Sequence, residues 1–397
     1  MKKSPLERLM ETHPGLEIWW DSSPLIYSTW SEGLLKKAAP ERVGELQEQL
    51  KRLYDPEHPE LALFRGVTTN PPLSLQVIKA RESFMTQIVD DLIEKNPCVD
   101  KETLFWITYK EIVRRGAEMY LGVFQRSRYQ YGYLSGQVDP RALTDAQKMI
   151  AQALELANLS PNVMIKVPGS KEGYDVIKVL TSKGISTNNT LTFVLPQLMA
   201  CAKAVKEGLE IAKRNGVDLS RWRSVITHMT ARYGDLGDLG KEAESLKIDL
   251  SEAEVRWAEL AIFKKAYRLL KERDYSSKML ICSMRISPVM NGKKYCWHLE
   301  KLAGGDIVIT CPPSFIEGIF EALDGTEFRP QIDEEVPKAV LDKLLRIPYF
   351  EKAYDENGLT PDEFNTHSAL VATATEFSKA TEGMVDFVAK RLAAKCG

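Results

Sequence analysis

Eight short β-rich runs recur along the chain with amphipathic helical stretches between them, and this alternation limits the fold most. They are Leu16–Asp21, Leu63–Asn70, Tyr131–Val138, Val163–Pro168, Gly184–Phe193, Ser224–Met229, Lys278–Arg285 and Asp306–Pro312. None alternates strictly between apolar and polar, which suits parallel strands covered by helices on their outer face. The helical stretches include Ser74–Lys95, Ala142–Leu159, Leu195–Asn215 and Ser251–Arg273, with Gly184 and Gly216 placed to end helices. The pattern predicts an α/β fold, a (β/α)8 TIM barrel. A doubly wound sheet is the alternative; it favours a glycine-rich loop after an early strand, and neither GxGxxG nor GxxxxGK occurs.

Three segments exceed a minimal barrel. Leu34–Pro59 reads as charged helix and Phe105–Arg128 as an extra helix before the third strand. The tail Glu334–Gly397 is mainly helical, interrupted around Glu356–Pro361. With no linker rich in Gly, Ser or Pro, the expected organisation is a barrel over 1–330 and a helical extension over 331–397 packed on it.

Charge narrows the function classes. With 53 Lys+Arg against 55 Asp+Glu, the formal charge of −2 offers no global field for nucleic acid or an anionic membrane. A local cationic pocket for a small anion stays open. The N-terminal MKKSPLERL has no apolar stretch behind its lysines, and no run approaches the ~20 apolar residues of a membrane span. A cytoplasmic protein is therefore expected. The six cysteines, Cys98, Cys201, Cys282, Cys296, Cys311 and Cys396, form no CxxC pair and read as reduced, mostly buried thiols. The histidines lie too far apart in sequence to suggest a zinc site.

In a barrel, chemistry belongs at the C-terminal ends of the strands. Nearly every run carries polar residues there: Asp21; Thr68, Thr69 and Asn70; Gln137; Asn188 and Thr190; Thr227 and His228; Ser283 and Arg285. Lys166 is the sharpest, an amine between Ile165 and Val167 inside a covered strand. Desolvation lowers the pKa of such a lysine and leaves a nucleophile suited to Schiff-base formation. The other reading is a strand-end lysine that snorkels to solvent. Asp21 reads equally as a base or as the N-cap of the next helix. Asn70 reads as a site residue or a turn residue before Pro71. Arg232 and Arg285 read as an anion clamp or as surface ion pairs. His228 is more in keeping with a satisfied core histidine than with an acid–base group.

Six segments, in order, resemble the motifs of the transaldolase family, which includes the fructose-6-phosphate aldolases. They are GVTTNP (Gly66–Pro71), SGQVDPR (Ser135–Arg141), IKVPGSKEG (Ile165–Gly173), GISTNNTL (Gly184–Leu191), ITHMTAR (Ile226–Arg232) and SMR (Ser283–Arg285). The resemblance implies a (β/α)8 barrel that needs no metal or organic cofactor. It implies that Lys166 attacks the C2 carbonyl of a ketose phosphate and that Asp21 takes the C4 hydroxyl proton. Thr69 belongs to the second-strand signature. Asn70 and Asn188 would hold the hydroxyls of the bound dihydroxyacetone unit, and Thr190 the water of Schiff-base formation. Arg232, Ser283 and Arg285 would bind phosphate.

The chain departs from the family pattern in two places. Gln137 stands where sugar transaldolases carry a glutamate that works with a water, and glutamine cannot exchange a proton at neutral pH. The fructose-6-phosphate aldolases are similar to this chain in having glutamine there. Glu111 is the other carboxylate considered for that role. In the sixth strand, Thr227 replaces a serine, His228 a common proline, and Met229 the usual phenylalanine or tyrosine. Transfer of dihydroxyacetone between sugar phosphates is the leading expectation, with phosphorylated sugars as partners and a homo-oligomer open. Aldolase release of free dihydroxyacetone, a specialised-pathway relative and a non-catalytic sugar-phosphate-binding barrel are the alternatives.

Overall fold

Eight parallel strands close into one barrel in the order of the chain. In this computed structural model, which describes residues 2–396, they are β1 (Glu17–Trp20), β2 (Phe64–Thr68), β3 (Tyr133–Gln137), β4 (Val163–Pro168), β5 (Thr187–Thr192), β6 (Ser224–Met229), β7 (Lys278–Cys282) and β8 (Val308–Cys311). Closure pairs β1 with β8, Glu17 opposite Val308 through Trp20 opposite Cys311. The (β/α)8 reading is therefore correct, and all eight sequence runs contain a strand.

The strand ends differ from the runs for local reasons. Gly184, at φ +73°, still belongs to the turn that ends the preceding helix, so β5 starts only at Thr187. Strand β7 stops at Cys282, because Ser283 takes a left-handed φ of +57° and turns the chain. The expected single helix Ser74–Lys95 is two helices, Pro71–Ala80 and Glu82–Lys95. Arg81 breaks it at φ −133°, where its guanidinium reaches the Leu25 carbonyl at 3.1 Å and lies over the Phe84 ring. The extra helix before β3 runs over Lys101–Arg126, starting earlier than expected because Asp100 caps it.

Strand parity fixes what fills the barrel, since alternate side chains point to opposite faces. Inward at mid-height, the Trp19 ring packs against Gly66; a Cβ there would sit 2.6 Å from the indole. That is the physical need for the glycine of GVTTNP. At the N-terminal end, burial works against the Glu17 carboxylate, yet Arg223 and Lys278 hold its pKa below the ordinary value. Outward-facing strand residues pack under the helices; Gly136, for example, faces Val113 of the Lys101–Arg126 helix.

The tail forms helices Lys338–Leu344, Pro348–Tyr354, Pro361–Phe364 and Ser368–Cys396. The last of these crosses the helices Pro71–Ala80, Glu82–Lys95, Lys101–Arg126 and Thr230–Leu236. It buries Leu370, Phe377, Met384 and Val388, and Arg391 clamps Asp90 at 2.9 and 2.7 Å. Among the described residues no helix is long and apolar enough to cross a membrane. Cys98 is exposed, while Cys201, Cys282, Cys296 and Cys311 are buried free thiols; the Cys396 side chain lies outside the described residues.

Candidate active site

Strand register gathers the polar residues before any side chain is considered. Gln137, Lys166 and Asn188 are direct neighbours across β3, β4 and β5. Because they share register, they share a face, the barrel interior.

Lys166 is 3% exposed, and its Nζ donates to the Thr69 carbonyl at 3.1 Å. It does not snorkel. Burial lowers its pKa, the Asp21 charge raises it back in part, and Arg232 lowers it further. Asp21 shows the mirror image: burial raises its carboxyl, while Lys166, the Thr68 hydroxyl and Arg232 oppose the rise. Burial thus favours the neutral form of each group, and the charge of each favours the charged form of the other. Asp21 is not an N-cap; Ser23 caps the short helix Pro24–Ile26 that follows. Instead Asp21 Oδ1 accepts from Thr68 Oγ1 at 2.6 Å. Thr68 has one hydroxyl proton, so its short contact with Thr310 must be one in which Thr310 donates. A relay Thr310→Thr68→Asp21 therefore fixes the carboxylate.

Asn188 is held at both ends of its amide. Its Nδ2 donates to Ser135 Oγ at 2.9 Å, and its Oδ1 accepts from Thr227 Oγ1 at 2.7 Å. The Thr227 hydroxyl thus orients Asn188. Thr69 donates its hydroxyl to the Ser135 carbonyl at 2.6 Å and presents its own carbonyl to Lys166. Asn70 caps the helix Pro71–Ala80 through Oδ1, accepting from Leu73 N at 2.9 Å, so the turn reading holds. No side-chain or backbone partner among the described residues takes its Nδ2.

Gln137 is buried with both side-chain polar atoms unpartnered. An amide in that condition calls for a water or a ligand. Its backbone is pinned from outside the barrel: Gln137 N donates to the Tyr109 hydroxyl at 2.8 Å, and that hydroxyl donates to the Gln137 carbonyl at 2.9 Å. Glu111, two residues further along the same helix, is paired with Arg114 and Arg115 instead. Thr190 follows from a bulge in β5, where register with β6 shifts between Asn189 and Thr192 and Leu191 takes φ +54°. Among the described residues its Oγ1 meets only the Met229 sulfur, at 3.9 Å.

The two arginines lie at the ends of β6 and β7, and both carry carboxylates. Arg232 is bidentate with Glu376 of the last helix, at 2.6 and 3.0 Å. Arg285 pairs with Asp235 at 2.7 Å, beside the half-buried Ser283. His228 points outward: Nε2 lies 3.1 Å from the Phe193 carbonyl and Nδ1 3.1 Å from Thr230 Oγ1. Burial depresses its pKa to about 4, so it is a neutral core histidine. Sequence reasoning passed over Ser135, Thr310, Cys282 and Tyr109. Parity along β3, β7 and β8 was the available signal for the first three; nothing near Tyr109 in sequence marked its reach.

An inward amine beside a carboxylate, ringed by hydroxyls and amides, with Arg232 acting on both, suits nucleophilic attack on a carbonyl in an anionic molecule. Comparison with known proteins agrees in class. The profile of the transaldolase/fructose-6-phosphate aldolase family matches residues 49–360. Transaldolase 2 of Streptomyces avermitilis is 33% identical over 332 residues, covering 79% of this chain and 88% of that protein. A transaldolase of an Arthrobacter species is 32% identical over 52% of this chain and 55% of its own length. For transaldolase 1 of Streptomyces coelicolor the figures are 36%, 42% and 44%. This chain belongs to the transaldolase/fructose-6-phosphate aldolase family.

Proposed function

We propose that the chain transfers a dihydroxyacetone unit between sugar phosphates through an enamine on Lys166. The observation that carries the reading is Lys166 itself, a desolvated inward amine coupled to Asp21. Lys166 gives up its ammonium proton and the neutral amine adds to the C2 carbonyl of a ketose phosphate; that proton goes to the carbinolamine hydroxyl, which leaves as water, and a cationic iminium remains. Asp21 takes the C4 hydroxyl proton; the C3–C4 bonding pair moves into the iminium, giving an enamine and releasing an aldose phosphate. The enamine carbon then attacks the carbonyl of an acceptor aldose phosphate, Asp21 returns its proton to the new hydroxyl, and water hydrolyses the iminium. The iminium is the electron sink, and its charge replaces that of the lysine in the same seat.

Asn188, fixed by Ser135 and Thr227, and the Nδ2 of Asn70 are the groups assigned to the donor hydroxyls. Gln137 is assigned to hold the water, and Thr190 to support it. Arg232, Ser283 and Arg285 are assigned to the phosphates, a distant charge whose binding energy orients the reacting bond. Lys166→Met tests the assignment: turnover of fructose 6-phosphate is lost while binding of inorganic phosphate is kept. Normal turnover by that variant would refute it.

A second reading, aldol cleavage with release of free dihydroxyacetone, rests on Gln137. Its unpartnered amide can place a water against the enamine carbon, where that water can deliver the proton that release requires. Gln137→Glu is then expected to raise transfer relative to release, as read by product ratio with and without an acceptor aldose phosphate. An unchanged ratio would remove Gln137 from that step.

A further inference from the structure

The site already contains an anion where its substrate's anion is assigned. Glu376 and Arg232 are 144 positions apart in sequence, yet they meet as a two-point carboxylate–guanidinium pair at 2.6 and 3.0 Å. That geometry matches the way a guanidinium takes two phosphate oxygens. Arg232 is mostly buried, with its guanidinium over the Phe377 ring at 5.6 Å. It follows β6 directly, at the third position of the helix Thr230–Leu236, and so lies at the same end of the barrel as Asp21. Glu376, by contrast, is about half exposed and can turn to water.

The other arginine differs. Its partner Asp235 is shared with the buried Arg256 at 3.2 Å, and Arg256 in turn pairs with Glu259, which is bonded to His298. The Arg285 backbone N–H donates to that same histidine at 3.0 Å. Asp235 is therefore fixed in a network, while among the described residues Glu376 is tied to Arg232 alone. Each arginine already faces a carboxylate, so a phosphate can take both guanidinium bonds of Arg232 only when Glu376 leaves.

We propose that Glu376 is a specificity-determining residue: its carboxylate holds the place on Arg232 that an anionic substrate end must take, so anion binding is an exchange. This rests on the assignment of Arg232, Ser283 and Arg285 to phosphate. The exchange weakens every anion by the same competitor and favours ligands whose phosphate makes two bonds to the guanidinium. It also couples anion binding to the helix Ser368–Cys396.

The test is calorimetric binding of inorganic phosphate to the full-length protein. Glu376→Gln keeps the side-chain volume, and loss of the competing charge is expected to tighten phosphate about five- to tenfold. Glu376→Ala, which leaves no amide on the arginine, is expected to tighten it at least as much. If Glu376 only pins the helix, both variants lose thermal stability with phosphate affinity unchanged or weaker, and the proposal fails. No phosphate binding by any of the three proteins overturns it as well. Borohydride trapping of the wild-type protein with dihydroxyacetone, which has no phosphate, reports Lys166 separately. A missing adduct there counts against the Schiff-base reading, while the phosphate comparison still decides Glu376.

Discussion

At the scale of single residues, the site is governed by one opposed pair. Burial pushes Lys166 and Asp21 toward their neutral forms, and each charge restrains the other. The sign of each neighbour's effect on the pH profile follows. Asp21 keeps the proton on Lys166, so Asp21→Asn moves the acid-side midpoint of dihydroxyacetone trapping to lower pH, by about one unit. Arg232 drives the proton off, so Arg232→Gln moves the same midpoint to higher pH, by less. Adduct yield against pH, read by mass spectrometry after reduction, measures both; shifts of the opposite sign would contradict the coupling. The lysine was legible because a charge inside an apolar strand needs a reason. That His228 belongs to the core was legible too, and its contacts with Phe193 and Thr230 hold it there. Glu376 was not legible, because its partner lies far away in sequence and no local pattern marks an exposed glutamate on a helix.

At the scale of elements, strand register does the assembling. Side chains from six strands, β2 to β6 and β8, meet because parallel neighbours in register share a face, which the runs alone implied once the barrel was assumed. What the runs could not give was where each strand stops. Ser283 and Leu191 take positive φ, and neither residue type announces it. The break at Arg81 was hidden because both flanking segments read as one amphipathic helix; the tertiary contact with Leu25 decides it. Gly66 gives the cleanest test at this scale. A Cβ placed 2.6 Å from the Trp19 ring forces the barrel interior apart. Gly66→Ala is expected to cost about 1–3 kcal/mol, seen as a lower urea midpoint with an unchanged slope. Wild-type stability in that variant would mean that Trp19 does not fill the barrel as described.

At the scale of the whole molecule, elements distant in sequence serve one centre. The Lys101–Arg126 helix reaches in through Tyr109 to hold the Gln137 backbone, and the last helix reaches in through Glu376 to hold Arg232. The strand ends carry the candidate site, and the added helices hold two of its residues in place. The account stands or falls on the amine. Incubation with fructose 6-phosphate, borohydride reduction and peptide mass spectrometry measure it directly. The account predicts a dihydroxyacetone-derived adduct on Lys166 and nowhere else, with both Schiff-base formation and C3–C4 cleavage shown by its mass. An adduct on another lysine, or none from correctly folded protein with either fructose 6-phosphate or dihydroxyacetone, would contradict it.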